Sequence, residues 1–277
     1  MSQDPAFAAL SRMERTAFRV MRFINQGAGR GPFRIWQRAV VTPLVGGLFV
    51  RRRLRIHGMA RLDRIPAGVP ILLVANHRTF FDLFILGFIL IRHPRLGRQV
   101  SFPVRSNFFY ESPLGLLMAV LGTGGSMFPP FFRSAEKKAM NRHSLGILLA
   151  KLQTPGQMVG FHPEGTRNKS DDPYTLLPAQ PGAGELALKA RPVVVPAFIL
   201  GMSNSFWAEV KANLRGAPPV IAVFGEPLEL PEAAETRLSH HKRFSDLINQ
   251  RIAALGAEER ALRSGASPPA SPVPPGT

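Results

Sequence analysis

His77 and Asp82 are the residues of this sequence best suited to acid–base chemistry. Five positions separate them, which on a regular helix places them off a shared face. They meet if His77 sits in a turn after a strand and folds back over the first turn of a helix. Thr79-Phe80-Phe81-Asp82 has the form of a capping pattern, with Thr79 at the N-cap and Asp82 at the third position. A carboxylate there can hydrogen-bond one imidazole nitrogen, fix the tautomer and leave the other nitrogen free as a base. With no Cys and no Gly-x-Ser-x-Gly elbow, a base acting directly on an acceptor hydroxyl is the economical chemistry. Taken alone, the pair also fits a helix cap beside an ordinary loop histidine.

A second constellation is Phe161-His162-Pro163-Glu164-Gly165-Thr166-Arg167, directly after a strand-like run. Gly165 permits a tight backbone approach, and Arg167 offers a forked donor for phosphate oxygens. Glu164 could hold that arginine or bond an acceptor hydroxyl; a surface turn closed by a weak Glu164–Arg167 pair fits equally. A third is Gly122-Thr123-Gly124-Gly125-Ser126, whose glycines could cradle a phosphate but read more readily as a plain turn, with Arg133 beyond it as a further phosphate clamp. The remaining histidines, His240 and His241 among them, lack partners at metal-ligand spacing, so no metal site is assigned.

The elements that must position these residues alternate. Ile71–Ala75 is a continuous apolar strand of the fully buried kind, followed by Asn76–Asp82 and a helical run to Ile91. Further strands are expected at 54–58, 157–161, 193–200 and 220–224, and helices at 114–121, 144–152, 184–190 and 238–255. Buried strands alternating with helices predict an α/β domain with a mostly parallel sheet flanked by helices. Three zones follow: N-terminal amphipathic helices in 1–50, a catalytic domain in 51–263, and a disordered Pro/Ser-rich tail in 264–277.

The 277 residues carry a net charge of +17, a balance that favours polyanions. Residues 1–60 hold eleven Arg against Asp4 and Glu14, giving +9 of the +17. The helix predicted over 7–24 places Phe7, Leu10, Met13, Ala17, Val20, Met21 and Ile24 on one stripe, with arginines opposite. Such a stripe can lie in a membrane surface or pack on the protein's own core; the clustered arginines favour the membrane. No apolar run reaches the roughly 20 residues of a membrane span, and no secretory signal is evident. The charge is not organised into a known nucleic-acid module, so no nucleic-acid partner is expected, although a non-catalytic basic protein is the alternative from another class.

Taken together and in order, these blocks resemble the glycerolipid acyltransferases typified by bacterial lysophosphatidic acid acyltransferase. That family is marked by Asn-His followed by Asp, which Asn76, His77 and Asp82 match, and by Pro-Glu-Gly-Thr-Arg, which Pro163–Arg167 match in full. Phe131-Phe132-Arg133 and Val194-Val195-Pro196-Ala197 match its two looser blocks, and the resemblance spans roughly residues 54–230. It implies that His77, oriented by Asp82, deprotonates an acceptor hydroxyl that attacks the thioester of acyl-CoA or acyl carrier protein. Arg133, Glu164 and Arg167 are implied to bind a lysophospholipid acceptor, 1-acylglycerol 3-phosphate in the leading reading, with Gly165 and Thr166 shaping the site. No cofactor is implied. An anionic membrane surface is the implied partner, with the protein peripheral or monotopic on its cytoplasmic face. Gln180 stands where the family often has lysine, which leaves glycerol 3-phosphate, another lysophospholipid or a lyso-aminolipid as rival acceptors.

Overall fold

The computed structural model describes residues 5–96, 99–232 and 237–266. Its strands are β1 (Leu54–His57), β2 (Ile71–Ala75), β3 (Gln99–Ser101), β4 (Val104–Arg105), β5 (Pro130–Phe131), β6 (Gln157–Phe161), β7 (Val193–Leu200) and β8 (Val220–Phe224). The helices are α1 (Pro5–Ala8), α2 (Arg12–Gln26), α3 (Arg30–Trp36), α4 (Thr42–Phe49), α5 (Asp82–Arg92) and α6 (Ser106–Phe109). They continue with α7 (Pro113–Leu117), α8 (Lys138–Leu152), α9 (Gly182–Ala190), α10 (Phe206–Arg215) and α11 (Leu238–Ser264). Wider π-helical turns at Gln37–Val41 and Met118–Gly122 join α3 to α4 and extend α7.

Six strands form one sheet in the order β1-β8-β7-β2-β6-β3, and β4 pairs with β5 in a separate two-stranded ribbon. All pairings are parallel except β7 with β8, so the mostly parallel α/β architecture expected from the sequence is what forms. β2 lies between β7 and β6, and all five of its residues are buried, as a strand covered on both faces requires. The side chains alternate. Ile71, Leu73 and Ala75 join a core under α4 and α5 with Leu83, Leu86 and Leu90. Leu72 and Val74 face the opposite layer, where Leu148, Leu186, Ile248 and Ile252 come from α8, α9 and α11.

The N-terminal region departs from expectation. One helix over 7–24 is instead two, because Ser11 and Glu14 form a reciprocal capping box that starts α2 afresh. The stripe expected to meet a membrane is inside the protein: Leu10, Ala17, Met21 and Ile24 are buried together with Phe18, Phe128 and Met140. Glu14 pairs with Lys137 at 2.6 Å beside the start of α8, tying the helix to the α/β body. Its carboxyl sits below the ordinary range; burial pushes it up, but Lys137 and Ser11 outweigh that.

No helix among the described residues is long and apolar enough to cross a membrane. α11 runs to Ser264, about two and a half turns beyond the apolar face read from the sequence. Of the tail expected in 264–277, residues 267–277 lie outside the described residues.

Candidate active site

The loop 76–82 leaves β2 at its carboxyl end, where parallel α/β sheets open their crevices. Every step of that loop is tied down by a hydrogen bond. The buried Asn76 side chain pairs with the main chain of β7, donating to Ile199 O and accepting from Ile199 N, each at 2.9 Å. It thereby extends the sheet by one residue beyond the strand. His77 N donates to Glu164 Oε1 at 2.8 Å, and His77 O accepts from Asn168 N at 2.7 Å. Arg78 N and Thr79 N both donate to Asp82 Oδ2 at 2.7 Å, while Phe80 N donates to Asn204 Oδ1 at 3.0 Å.

Asp82 therefore does more than face a histidine. It opens α5, and its other oxygen, Oδ1, accepts from the Thr79 hydroxyl at 2.5 Å. In a capping box that hydroxyl accepts from the backbone N–H three residues on; here it donates to the carboxylate and accepts from Phe81 N at 3.3 Å, so only the Asp82-to-Thr79 N half of the box forms. His77 does fold back as the spacing required, with Nδ1 at 3.5 Å from Asp82 Oδ2. Nε2 is the nitrogen left for an acceptor. Burial raises the Asp82 carboxyl above its ordinary value, with His162 and the Thr79 and Arg78 donors opposing in part.

Beside this loop runs the turn after β6, which carries the second constellation. Val74 of β2 and Phe161 of β6 are register partners, so the two strand ends deliver His77 and His162 side by side. The imidazole rings stack with centroids 3.7 Å apart and planes 7° apart. His162 Nδ1 sits 3.0 Å from Ala75 O, an arrangement in which Nδ1–H donates and Nε2 keeps its lone pair. Both rings are held neutral. Burial, then Arg167 and Arg105, brings His77 down to about 4; burial, then His77, brings His162 down to about 3.

Glu164 is tied to backbone on two sides. The side chain is buried, and its two oxygens accept from His77 N and Leu177 N at 2.8 Å each. It clamps the loop 76–82 to the turn rather than pairing with Arg167. Burial raises its carboxyl despite those donors. Gly165 has φ +65°, in the region open chiefly to glycine, and a side chain there would press on Gln180 Cγ at 3.1 Å.

The arginines converge. Arg167 donates to Asn204 Oδ1 at 2.9 Å, and Arg105 of β4 donates to Thr166 Oγ1 at 2.9 Å. Arg105 is held below its ordinary pKa by burial and then by Arg133 and Arg167, and His77 feels both Arg167 and Arg105. Arg133, Arg105 and Arg167 thus form one cationic cluster, two members of which act on His77, and it suits a phosphate group. Arg78 turns the other way, to Ser170.

Sequence reading missed three residues here: Arg105, Asn204 and His162. Arg105 and Asn204 lie outside the recognisable blocks and carried no local signal. His162 stood inside a quoted block, and only the pairing of β2 with β6 reveals its neighbour. The glycine turn at 122–126 is no phosphate cradle: Gly124 and Gly125, at φ +59° and +75°, pack against Gln37 and Ile24.

His77, Asp82 and His162 bring three potential ligand atoms within 4.8 Å of one another. Their bonding argues against a cation. Both Asp82 oxygens already accept from the loop, and parallel stacked rings direct their in-plane lone pairs alongside each other rather than to one point.

A family model described as Acyltransferase matches residues 53–200, a stretch that includes His77, Asp82, Arg105, Arg133 and Glu164–Arg167. A curated relative, the 1-acyl-sn-glycerol-3-phosphate acyltransferase of Saccharomyces cerevisiae, is 28% identical over 138 residues. The match covers 50% of this chain and 41% of that relative, so this chain spans less than half of the relative's length. The crystal structure of the 1-acyl-sn-glycerophosphate (LPA) acyltransferase from Thermotoga maritima aligns with a TM-score of 0.46 and 14% identity. It covers 87% of this chain and 97% of the other.

Proposed function

This chain belongs to the acyltransferase family, and from that premise we propose that it acylates the free hydroxyl of 1-acylglycerol 3-phosphate to form phosphatidic acid. The observation that carries the reading is the juxtaposition of a neutral, buried-edge histidine with a cluster of three arginines. The first suits proton abstraction from a hydroxyl, and the second suits a phosphate monoester held beside that hydroxyl.

His77 Nε2 takes the hydroxyl proton as the oxygen attacks the thioester carbonyl of acyl-CoA or acyl carrier protein. The carbon–sulfur bond breaks, and the departing thiolate takes the proton back from His77. Asp82 holds the loop that carries His77 and offers its carboxylate to Nδ1. Arg105, Arg133 and Arg167 bind the phosphate; Gly165 and Thr166 shape the turn, and Glu164 fastens it to the base loop. Acceptor binding also readies the base. In the free protein Arg167 and Arg105 oppose a proton on His77. A bound phosphate offsets those charges, so proton affinity rises when the substrate is in place.

The protein works on a membrane surface in this reading, through a face other than the buried N-terminal stripe. Ile35, Trp36 and Leu44 project outward from the α3–α4 arm, and Leu114, Leu117 and Leu121 from the segment 113–122. The Trp36 indole donates to Leu121 O at 3.0 Å, joining the two sets. No acidic residue occurs between Glu14 and Asp63, while arginines recur throughout, which suits anionic headgroups.

Gln180, uncharged and lying against Gly165, favours a second reading in which the same chemistry serves another phosphorylated acceptor. The deciding experiment follows thiol release from palmitoyl-CoA and oleoyl-CoA, and from acyl carrier protein. The acceptors offered are lysophosphatidic acid, glycerol 3-phosphate, other lysophospholipids and monoacylglycerol. Turnover with lysophosphatidic acid above the rest is expected. Preference for monoacylglycerol would remove the phosphate cluster from the account, and preference for another phosphorylated acceptor would replace the substrate.

A further inference from the structure

Asp82 has little capacity left with which to hold an imidazole. Its Oδ2 already accepts from two backbone N–H groups at 2.7 Å, Oδ1 accepts from Thr79, and His77 Nδ1 stands off at 3.5 Å. A contact of that length constrains a ring plane weakly. The firm contact on His77 is a different one: the parallel ring of His162 at 3.7 Å.

His162 is well placed to act as a fixed wall. It directly follows β6, and its Nδ1–H bond to Ala75 O fastens the ring to the last residue of β2. The wall and the base loop thus hang from two paired strands of the sheet. We propose that His162 is a positioning residue for the base, setting the ring plane of His77 so that Nε2 faces the acceptor while its covered face is closed to water.

The role rests on the acyl-transfer reading of His77, and the chemistry explains why an imidazole serves there. Its in-plane Nδ1–H takes a main-chain anchor that a hydrocarbon ring cannot take, and a ring face so anchored cannot swivel with its neighbour. A neutral face also tolerates the imidazolium that His77 becomes while it holds the acceptor's proton. The charged and titratable groups around the pair are Asp82 on α5, Glu164 and Arg167 in the turn after β6, and Arg105 on β4.

The test compares the full chain with His162→Ala and His162→Phe, reading the His77 imidazole titration by NMR alongside kcat and KM. In His162→Ala, water reaches the uncovered face, and the His77 midpoint rises from about 4 toward its ordinary 6.5. Its kcat falls about tenfold or more, with KM for both substrates nearly unchanged, because a misaligned base affects the chemical step. His162→Phe restores the stack without the anchor, so its midpoint stays low and its kcat lies between the other two. A wild-type midpoint and kcat in His162→Ala overturn the proposal. So does a loss of activity that tracks folded fraction with the midpoint unmoved. Should His162→Ala fail to fold, a midpoint near 6.5 in His162→Phe overturns it equally. If the unmodified protein acylates no acceptor, the acyl-transfer reading fails, and the titration still decides whether His162 covers the base.

Discussion

Two segments of this protein carry apolar residues at three- and four-residue spacing, and they face opposite ways. On α2 the stripe of Ala17, Phe18 and Met21 is fully buried. On the segment 113–122, Leu114, Leu117, Met118 and Leu121 are each about half exposed or more, at 66%, 53%, 47% and 48%. Their inward faces explain the difference. α2 presents large side chains to Phe128 and Met140, and Asn25 adds a buried bond to Gly125 O at 2.8 Å. The segment 113–122 fully buries only small residues, with Leu116 and Val120 half-buried against the same core. Ala119 is buried, and a side chain at Gly115 would overlap Phe108 O, so backbone packs on backbone and the leucines are left outside. Periodicity reveals a stripe; the size of the residues opposite it decides whether the stripe is core or surface.

The sharpest way to break this comparison is to truncate each stripe. Phe18→Ala should cost about 3–5 kcal/mol in denaturant unfolding, as a fully enclosed aromatic does. An intact midpoint would mean that α2 is only loosely docked. The paired change Leu117→Asp with Leu121→Asp should leave stability within about 0.5 kcal/mol. It should lower retention on anionic liposomes at least tenfold, since each inserted leucine contributes about 1.5–3 kcal/mol. Unchanged flotation would assign the exposed stripe to something other than lipid, and a shift from dimer to monomer would make it a contact between copies of this chain.

Arg105 sharpens the comparison from the other side, because it directly precedes α6 and the outward segment, yet reaches into the site. Arg105→Gln should raise KM for the phosphorylated acceptor about tenfold, the weight of a charge-assisted bond, while leaving liposome binding and the acyl donor's KM alone. It should also move the pH profile. Arg105 disfavours the proton on His77, so its loss raises that pKa. The proposed mechanism requires neutral His77 in the free protein, so kcat/KM is expected to fall as pH drops through the His77 pKa. The acidic limb therefore begins at higher pH in the variant. Equal losses for both substrates with an unmoved limb would detach Arg105 from the phosphate.

The smallest effect is expected at Glu14→Gln, about 1 kcal/mol or a little more for one hydrogen-bonded, partly buried pair. The folded carboxyl of Glu14 is depressed, so its contribution is present above the unfolded carboxylate's pKa and lost as pH falls through the folded one. The variant should show a flatter acid-side stability curve, read from thermal unfolding between neutral and acid pH.

The central strands were legible because continuous apolar runs have few other fates: Ile71–Ala75, Gln157–Phe161, Val193–Leu200 and Val220–Phe224 form as read. β3, β4 and β5 were not, since two or three residues hold no alternation, and Gln99 and Ser101 are polar yet buried. In the site, the fold-back of His77 toward Asp82 was legible, but the cap was not: Phe81, not Thr79, is the N-cap of α5, and Asp82 is its first residue rather than its third. The roles of Glu164 and His162 depend on two loops meeting across β2 and β6, which neither block encodes by itself. The inward packing of α2 escaped for the same reason, because arginines on one face are compatible with lipid and with water alike.

The central claim is that His77 serves as the base for acyl transfer to a phosphorylated lipid. It is tested most directly by measuring phosphatidic acid formed from oleoyl-CoA and lysophosphatidic acid by the unmodified protein and by His77→Ala, with thermal unfolding of both. The expected result is steady product formation lost by at least about a hundredfold in the variant, at matching unfolding temperature. Product formed by His77→Ala at the unmodified rate would contradict the account.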